Sequence, residues 1–395
     1  MKIKVGVLFG GASVEHEVSI ITAIQAMNKL DQNKYEIVPI YITKDRKWYT
    51  GKMLLDIDLY SDLELLKRYA HEVVLYNKNG RFVLQNKFGL FKKEVTEIDI
   101  ALPIMHGTGG EDGSLQGYFE MIGIPYCESN LFASCVGQDK IFMKQILESN
   151  GVTIAKYKWF FDHEYLSDGE RVLAEIEKLG YPVIVKPACL GSSVGIKVCH
   201  NVLELQDAIT DAIKYDEKFV VEEVISNLKE VNISVLGNCE KQELSVIEEV
   251  GSKNELLTYE DKYLGSGKTK GKISSKGMAS AKRIIPAKIS DALARDVESL
   301  AIKTFRSLNS SGVVRIDFLI DTKENKVYVN EINSIPGSLS YYLWEKTNKD
   351  YEELLENIID LGILKYKKLG QKTRSFDTNI LEGFKGVKGV KGIKK

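Results

Sequence analysis

The chain opens on "KIKVGVLFGG", a strand-like apolar run that ends in two glycines, and continues into "EHEVSIITAIQAMNKL", where the apolar residues recur at helical spacing. That change of period across a glycine turn defines a βα unit, and it restricts the fold more than any bulk property does. "KYEIVPIYITKDRKWY" adds a strand, and "IDIALPIMHGTGGEDGSLQGYFEMIGIPYC" gives strand, glycine-rich loop, helix and short strand. This is the rhythm of a parallel sheet with crossover helices, so residues 1–135 are predicted to form an α/β domain.

The remaining length needs further domains, because single cores stop growing at roughly 250 to 300 residues and the chain has 395. From "GQDKIFMKQILESNG" the order becomes helix, strand, helix, and then "YPVIVKPACLGSSVGIKVC", two strands joined by small residues, followed by "KFVVEEVI". This predicts an α+β unit over 136–237. A third unit over 238–368 carries strand candidates "ELSVIEEV", "AKRIIPA", "GVVRIDFLI" and "KVYVNEI" and the helix "SDALARDVESLAIKTFRSL". Between its first two strands, residues 257–280 are too polar to bury and too long for an ordinary connection, which predicts a functional lid. The basic end, 369–395, repeats KGV and KGI and is expected to be disordered.

Charge and cysteine usage narrow the functional classes. Basic and acidic side chains number 54 and 55, so nothing in the overall balance favours nucleic acid or an anionic membrane. A small-molecule enzyme fits better. The first residues lack the features of a signal peptide, and nothing later supplies the roughly 20 apolar residues of a membrane span, so a cytoplasmic protein is expected. Cys127, Cys135, Cys189, Cys199 and Cys239 are odd in number, scattered and without a CxxC pair, which argues against a disulfide framework or a zinc site.

Two stretches carry candidate chemistry. In "VIVKPACLGSSVGIK", Lys186 ends an apolar strand and small residues follow; backbone N–H groups could approach phosphate there beside a fixed charge, although a surface hairpin reads the same way. In "GVVRIDFLI" and "VYVNEIN", strand alternation puts Arg315 with Asp317 and Glu331 with Asn333 on single faces. Three oxygen ligands beside a guanidinium suit magnesium and a triphosphate; a solvent-facing salt bridge is the plainer reading.

The set "FGGASVEHEVS", "MHGTGGEDGSLQG", "GQDK", "VIVKPACLGSSVGI", "EDKY", "VVRIDF" and "NEINSIPG", in this order, resembles the D-alanine–D-alanine ligase family of ATP-grasp enzymes over residues 1 to about 365. The resemblance implies a three-domain ATP-grasp architecture, an N-terminal parallel-sheet domain, and synthesis of a dipeptide for peptidoglycan through an acyl phosphate. It implies ATP on Lys140, Lys186 and Lys262, adenine near Glu222, Glu223 and Val224, and ribose on Glu230. The metal, magnesium or alternatively manganese, with room for a monovalent cation, falls to Asp317, Glu331 and Asn333. Glu15 matches the group receiving the first amino acid's ammonium, and His106 lies near its carboxylate. Glu15, Ser192 and Tyr263 match a hydrogen-bonded set that ties the first domain, phosphate loop and lid together, and Arg315 and the Gly337 N–H match the oxyanion donors. A homodimer built through the first domain is also implied.

Departures fall on the second substrate. After Pro336-Gly337, where the family has a Thr-Ser-His-Ser-Leu type segment, this chain reads Leu339, Ser340, Tyr341, Tyr342, Leu343, so Tyr342 replaces a serine that binds the second carboxylate. The ring either reshapes that pocket or packs as core. Leu190 replaces a residue that is often polar, and the lid is longer by several residues. A paralogue using another second amine, such as D-serine, therefore stands as the alternative, with a hydroxy acid disfavoured by the retained Tyr263 and a non-catalytic nucleotide-binding regulator as the reading from another class.

Overall fold

Strands β1 (Ile3–Gly10), β2 (Tyr35–Ile42), β3 (Trp48–Thr50), β4 (His71–Lys78), β5 (Arg81–Asn86), β6 (Glu94–Ile98) and β7 (Ile100–Ile104) form a seven-stranded sheet in the order β6-β5-β4-β3-β2-β1-β7. The structure is a computed structural model and describes residues 2–89, 92–191, 194–250 and 283–373. The predicted lid 257–280 with Lys262 and Tyr263, Ser192 of the phosphate loop, and positions 374–395 of the tail lie outside the described residues.

The sheet is parallel where β2, β1 and β7 pair, as the βα pattern predicts. From β3 to β6 it is antiparallel, a meander that hydrophobic periodicity does not announce. These strands are partly exposed and so lack a continuous apolar run. Their local signal was Asn79-Gly80 between β4 and β5: both residues have positive φ, 51° and 84°, the two-residue turn whose twist matches a hairpin.

Helix His16–Lys29 covers one face of this sheet, and the C-terminal helix Tyr351–Gly370 joins it there. Val5, Val7 and Phe9 share a core with Leu354, Leu355, Ile358 and Ile359. β1 and the helix Tyr351–Gly370 are thus held together by apolar burial, worth about 1.5–3 kcal/mol per fully buried aliphatic or aromatic side chain.

The second sheet, β10-β9-β11-β8, is antiparallel and contains β8 (Tyr157–Phe161), β9 (Val183–Pro187), β10 (Lys197–Cys199) and β11 (Lys218–Glu223). Strand alternation sends Val183, Val185, Phe219 and Val221 to one face, where they pack with Val172, Ile176, Leu205 and Ile209 of helices Gly169–Glu177 and Val202–Ala212. Lys186, Val220 and Glu222 consequently lie on the other face. Helix Lys140–Ser149 covers that face, with Ile141 in contact with Val220 and Ala188.

The third sheet is antiparallel, in the order β15-β14-β12-β16-β17 with β13 also on β12. Its strands are β12 (Leu228–Gly237), β13 (Gln242–Leu244), β14 (Glu248–Val250), β15 (Arg283–Ile284), β16 (Gly312–Asp321) and β17 (Lys326–Asn333). The predicted strand "ELSVIEEV" is split into β13 and β14, and "AKRIIPA" contributes two paired residues. Val297, Ala301 and Phe305 of helix Asp291–Ser307 pack on Val314, Ile316 and Phe318, leaving Arg315 and Asp317 on the opposite face.

Candidate active site

Asp139 caps the helix Lys140–Ser149 by accepting the N–H groups of Ile141 and Phe142, which fixes Lys140 in the first turn. Lys140 is buried, and its Nζ donates to the Leu190 carbonyl at 2.7 Å, so the helix grips the loop that follows β9. Burial lowers the Lys140 pKa, opposed chiefly by the Glu331 carboxylate. From β9, Lys186 Nζ reaches Glu222 Oε2 at 3.1 Å and Asn330 Oδ1 at 3.2 Å. Lys144, one turn beyond Lys140, reaches the other oxygen of Glu222 at 3.3 Å. Burial alone would raise the Glu222 pKa; Lys144 and Lys186 together hold it down to about 2. The predicted Lys140, Lys186 and Glu222 are therefore neighbours in one buried charge network.

Facing them, Asp317 of β16 is the cross-strand partner of Glu331, and Arg315 that of Asn333. A bulge between Asp317 and Phe318 leaves Asn330 as the extra residue of β17. That extra residue shifts the side-chain alternation, placing Glu331 and Asn333 on the Asp317 side while Ile332 joins the core. Arg315 clamps Asp317 with two bonds, Nε to Oδ1 at 2.7 Å and Nη2 to Oδ2 at 2.9 Å, and Asn333 Nδ2 lies 3.4 Å from Oδ2. Burial disfavours the arginine charge, yet Asp317 raises its pKa well above the ordinary value. Two carboxylates and a carboxamide on adjacent strands are hard oxygen donors of the kind magnesium takes, so the residues fit the metal.

Glu15 begins helix His16–Lys29, but its side chain does not cap it. The carboxylate turns instead toward two loops: a Cβ added at Gly107 would stand 2.8 Å from Oε2, and one at Gly191 3.6 Å away. With φ of +69°, Gly107 satisfies both the close approach and a left-handed backbone. Glu15 thereby lies between the loop after β7 and the loop after β9.

His106 is buried, and burial lowers its pKa, with Glu15 acting in the other direction. Its Nδ1 lies 2.7 Å from the Ile335 carbonyl, which can only accept, so Nδ1 carries the proton and Nε2 accepts from Thr22 Oγ1 at 2.9 Å. Thr22 Oγ1 in turn accepts the Ser338 N–H at 3.1 Å. Glu111 reinforces this junction, accepting Gly107 N–H on Oε2 and Ile335 N–H on Oε1, both at 2.8 Å. Burial, reinforced by Glu15, pushes its pKa up to about 8.

The turn so held starts at Gly337 and runs through Ser338, Leu339 and Ser340 at φ of 52°, 49° and 52°. Three successive non-glycine residues in the left-handed region store strain, and Leu339, fully buried in the core, offsets it. Ser340 and Leu343 are fully buried, and Ser340 Oγ has no hydrogen-bond partner among the described residues. The two tyrosines diverge. Tyr341 stacks on Tyr351 with ring centroids 4.5 Å apart and belongs to the core. Tyr342 faces the site: its hydroxyl donates to Glu248 Oε2 at 3.3 Å, Arg283 lies 4.6 Å over its ring, and Arg315 is near enough to act on its charge.

At the other end of the second sheet, Glu223 Oε1 accepts the Lys156 N–H at 2.9 Å and Val224 donates its N–H to the Pro182 carbonyl at 3.3 Å. Glu230 sits on β12 opposite Leu319. Sequence reasoning missed Lys144, Glu111, Asn330, Glu248 and Arg283. Lys144 was signalled by its i+4 spacing from Lys140, and Glu111 by its place in "GGEDG".

A buried lysine on β9, another on the helix that covers that sheet, an acidic face on the third sheet and a first-domain carboxylate beside the loop after β9 fit an ATP-dependent ligase of ATP-grasp architecture. Family profiles described as D-ala D-ala ligase N-terminus and C-terminus match residues 4–129 and 146–360. The chain belongs to the D-alanine–D-alanine ligase family. A D-alanine--D-alanine ligase of Thermosipho melanesiensis is 39% identical over 383 residues, covering 96% of this chain and 98% of that protein. Among solved structures, the D-alanine-D-alanine ligase from Coxiella burnetii superposes with a TM-score of 0.77 at 26% identity, covering 93% of this chain and 96% of the other. That of Bacillus anthracis complexed with ATP gives 0.65 at 26% identity, covering 93% and 100%.

Proposed function

We propose that this protein joins two D-alanine molecules through an acyl phosphate, using ATP, to supply a peptidoglycan precursor. The observation that carries this reading is the convergence of Lys140, Lys186, Glu331 and Asp317 with Glu15 beside Gly191. Glu15 receives the ammonium of the first D-alanine. The carboxylate oxygen of that D-alanine attacks the γ-phosphorus, the bond to the β,γ-bridging oxygen breaks, and ADP leaves. Lys140 and Lys186 neutralise the phosphates, since phosphoryl transfer depends on positioning and charge compensation. The amine of the second D-alanine then attacks the acyl carbon, and Arg315 with the Gly337 N–H stabilises the oxyanion. Phosphate departs with the carboxylate's oxygen and the amine gives up a proton.

Asp317, Glu331 and Asn333 would hold magnesium, which supplies charge neutralisation at the phosphates when bound. Glu223 and Val224 are assigned to the adenine, with Glu222 flanking that hinge, and Glu230 to the ribose. Lys262, Ser192 and Tyr263 retain the roles that the resemblance implies. The division at 1–135, 136–237 and 238–368 fits one substrate-binding and two nucleotide-binding units. Among the described residues no helix is long and apolar enough to cross a membrane, and we assign the enzyme to the cytoplasm. A homodimer through the first domain is supported by the exposed Met53, Leu55, Ile57, Leu63, Leu65 and Tyr69.

A second reading, D-serine as the second amine, is favoured by Tyr342 and Glu248, a phenol and a carboxylate near Arg315. Phosphate release with ATP and D-alanine, D-serine or L-alanine separates the readings. Release with D-alanine alone supports the first; faster release when D-serine is added supports the second; none with any of these amino acids contradicts both.

A further inference from the structure

Lysines 140 and 144 stand one helical turn apart on the buried face of the helix Lys140–Ser149, in its first half. Two like charges at i and i+4 repel, and the positive end of the helix dipole disfavours both, so this pairing does not serve helix stability. Lys140 has the phosphate-loop carbonyl of Leu190 as a partner. Lys144, 1% exposed, has no hydrogen bond from its ammonium among the described residues; its one close polar contact there is the 3.3 Å approach to Glu222 Oε1. Its other near neighbour is the Tyr157 ring, 5.7 Å away.

The network can be followed across the fold. From the helix, Lys144 meets one oxygen of Glu222 on β11; the other oxygen meets Lys186 on β9; and Lys186 continues to Asn330 at the β17 bulge. One carboxylate thus serves two buried ammonium groups. If Lys144 were absent, Glu222 and Lys186 would close into a one-to-one ion pair, and the charge of Lys186 would be spent inside the protein rather than on a phosphate.

We infer that Lys144 is a positioning residue for nucleotide binding: it occupies half of Glu222, so that Lys186 keeps its direction and an uncompensated share of positive charge for the triphosphate. The inference rests on the ligase reading, in which Lys186 meets ATP. It assigns Lys144 no contact with substrate and requires its effect to pass through Glu222.

The test measures magnesium-ATP affinity by calorimetry, and the D-alanine KM by phosphate release, for wild type, K144M, K144R, E222Q and the double variant K144M/E222Q. K144M removes one of the two cations paired with Glu222 and is expected to weaken ATP binding roughly 10- to 100-fold, equivalent to about 1.4–2.8 kcal/mol, while the D-alanine KM changes less than about 3-fold. K144R, which keeps the charge, recovers most of the affinity. In the E222Q background there is no carboxylate to share, and K144M has no further effect beyond about 3-fold. Comparison of E222Q with the double variant also covers the case in which K144M alone does not fold. An unchanged ATP affinity in folded K144M, or an undiminished loss on adding K144M to E222Q, overturns the inference. A wild-type protein that binds no ATP overturns the ligase reading itself, a separate result.

Discussion

Tyr342 allows the hydroxyl and the ring to be removed separately. Tyr342→Phe deletes one hydrogen bond, the 3.3 Å contact to Glu248 Oε2, and keeps the ring under Arg283. Glu248 is 1% exposed, so loss of a donor leaves a buried carboxylate oxygen less satisfied, which costs about 1–3 kcal/mol. The low end applies, because Arg283 Nη1 still stands 3.2 Å from Oε1. Tyr342→Ser also removes the cation–π contact, about 0.5–2 kcal/mol, and the half-buried ring's own packing. A total loss of about 2–4 kcal/mol is expected for the serine variant and about 1 kcal/mol for the phenylalanine variant, read by denaturant unfolding. Stability alone does not decide the role of Tyr342. Pocket shape discriminates substrates by roughly 1 to 3 kcal/mol, so opening the space beside Arg315 should shift the kcat/KM ratio of D-serine to D-alanine as second substrate by about 10-fold or more. The KM for ATP should stay within about 2-fold, because the side-chain contacts of Tyr342 are with Glu248 and Arg283, neither of which is assigned to the nucleotide. A serine variant that is destabilised but ranks second substrates as wild type does would show that the ring is packing, and the specificity argument would fail.

Lys186→Ala and Glu331→Gln should each abolish ADP formation in a folded protein, because each removes charge compensation rather than core; near wild-type ADP production by either contradicts the nucleotide assignment. Glu111 predicts a pH effect. Its pKa is raised from 4.5 to about 8, so its stabilising contribution is complete below about pH 4.5 and is lost as pH rises toward and through 8, the interval in which the buried acid ionises only on unfolding. Glu111→Gln, which cannot ionise but gives up one of the two backbone N–H bonds, should be the less stable protein near pH 4.5, and its melting temperature should gain on wild type as pH rises to 9; a constant difference across that range counts against the burial argument.

The parallel core of the first domain was legible because β1 and the helix after it change period across two glycines, and both are buried. The antiparallel meander from β3 to β6 was not assigned, because half-exposed strands carry weak periodicity; Asn79-Gly80 was its clearest local sign. In the site, Asp317, Glu331 and Asn333 were readable from alternation, although their meeting depends on a bulge at Asn330 that no pattern announces. Glu15 reads locally as a helix-start charge, and its turn toward Gly107 and Gly191 is a tertiary fact that motif order alone pointed to. Lys144 and Glu111 sat inside quoted motifs but gained meaning only when burial exposed their partners. The tyrosine pair was separable only in three dimensions, since adjacent residues can face a core and a cleft.

The central claim, ligation through an acyl phosphate, is tested most directly by following oxygen. D-Alanine labelled with 18O in its carboxylate is incubated with ATP and magnesium, and the dipeptide and phosphate are analysed by mass spectrometry. The account predicts D-alanyl-D-alanine and phosphate in equal amounts, with one 18O transferred to each phosphate. Dipeptide formed with unlabelled phosphate, or phosphate released without dipeptide, would contradict it.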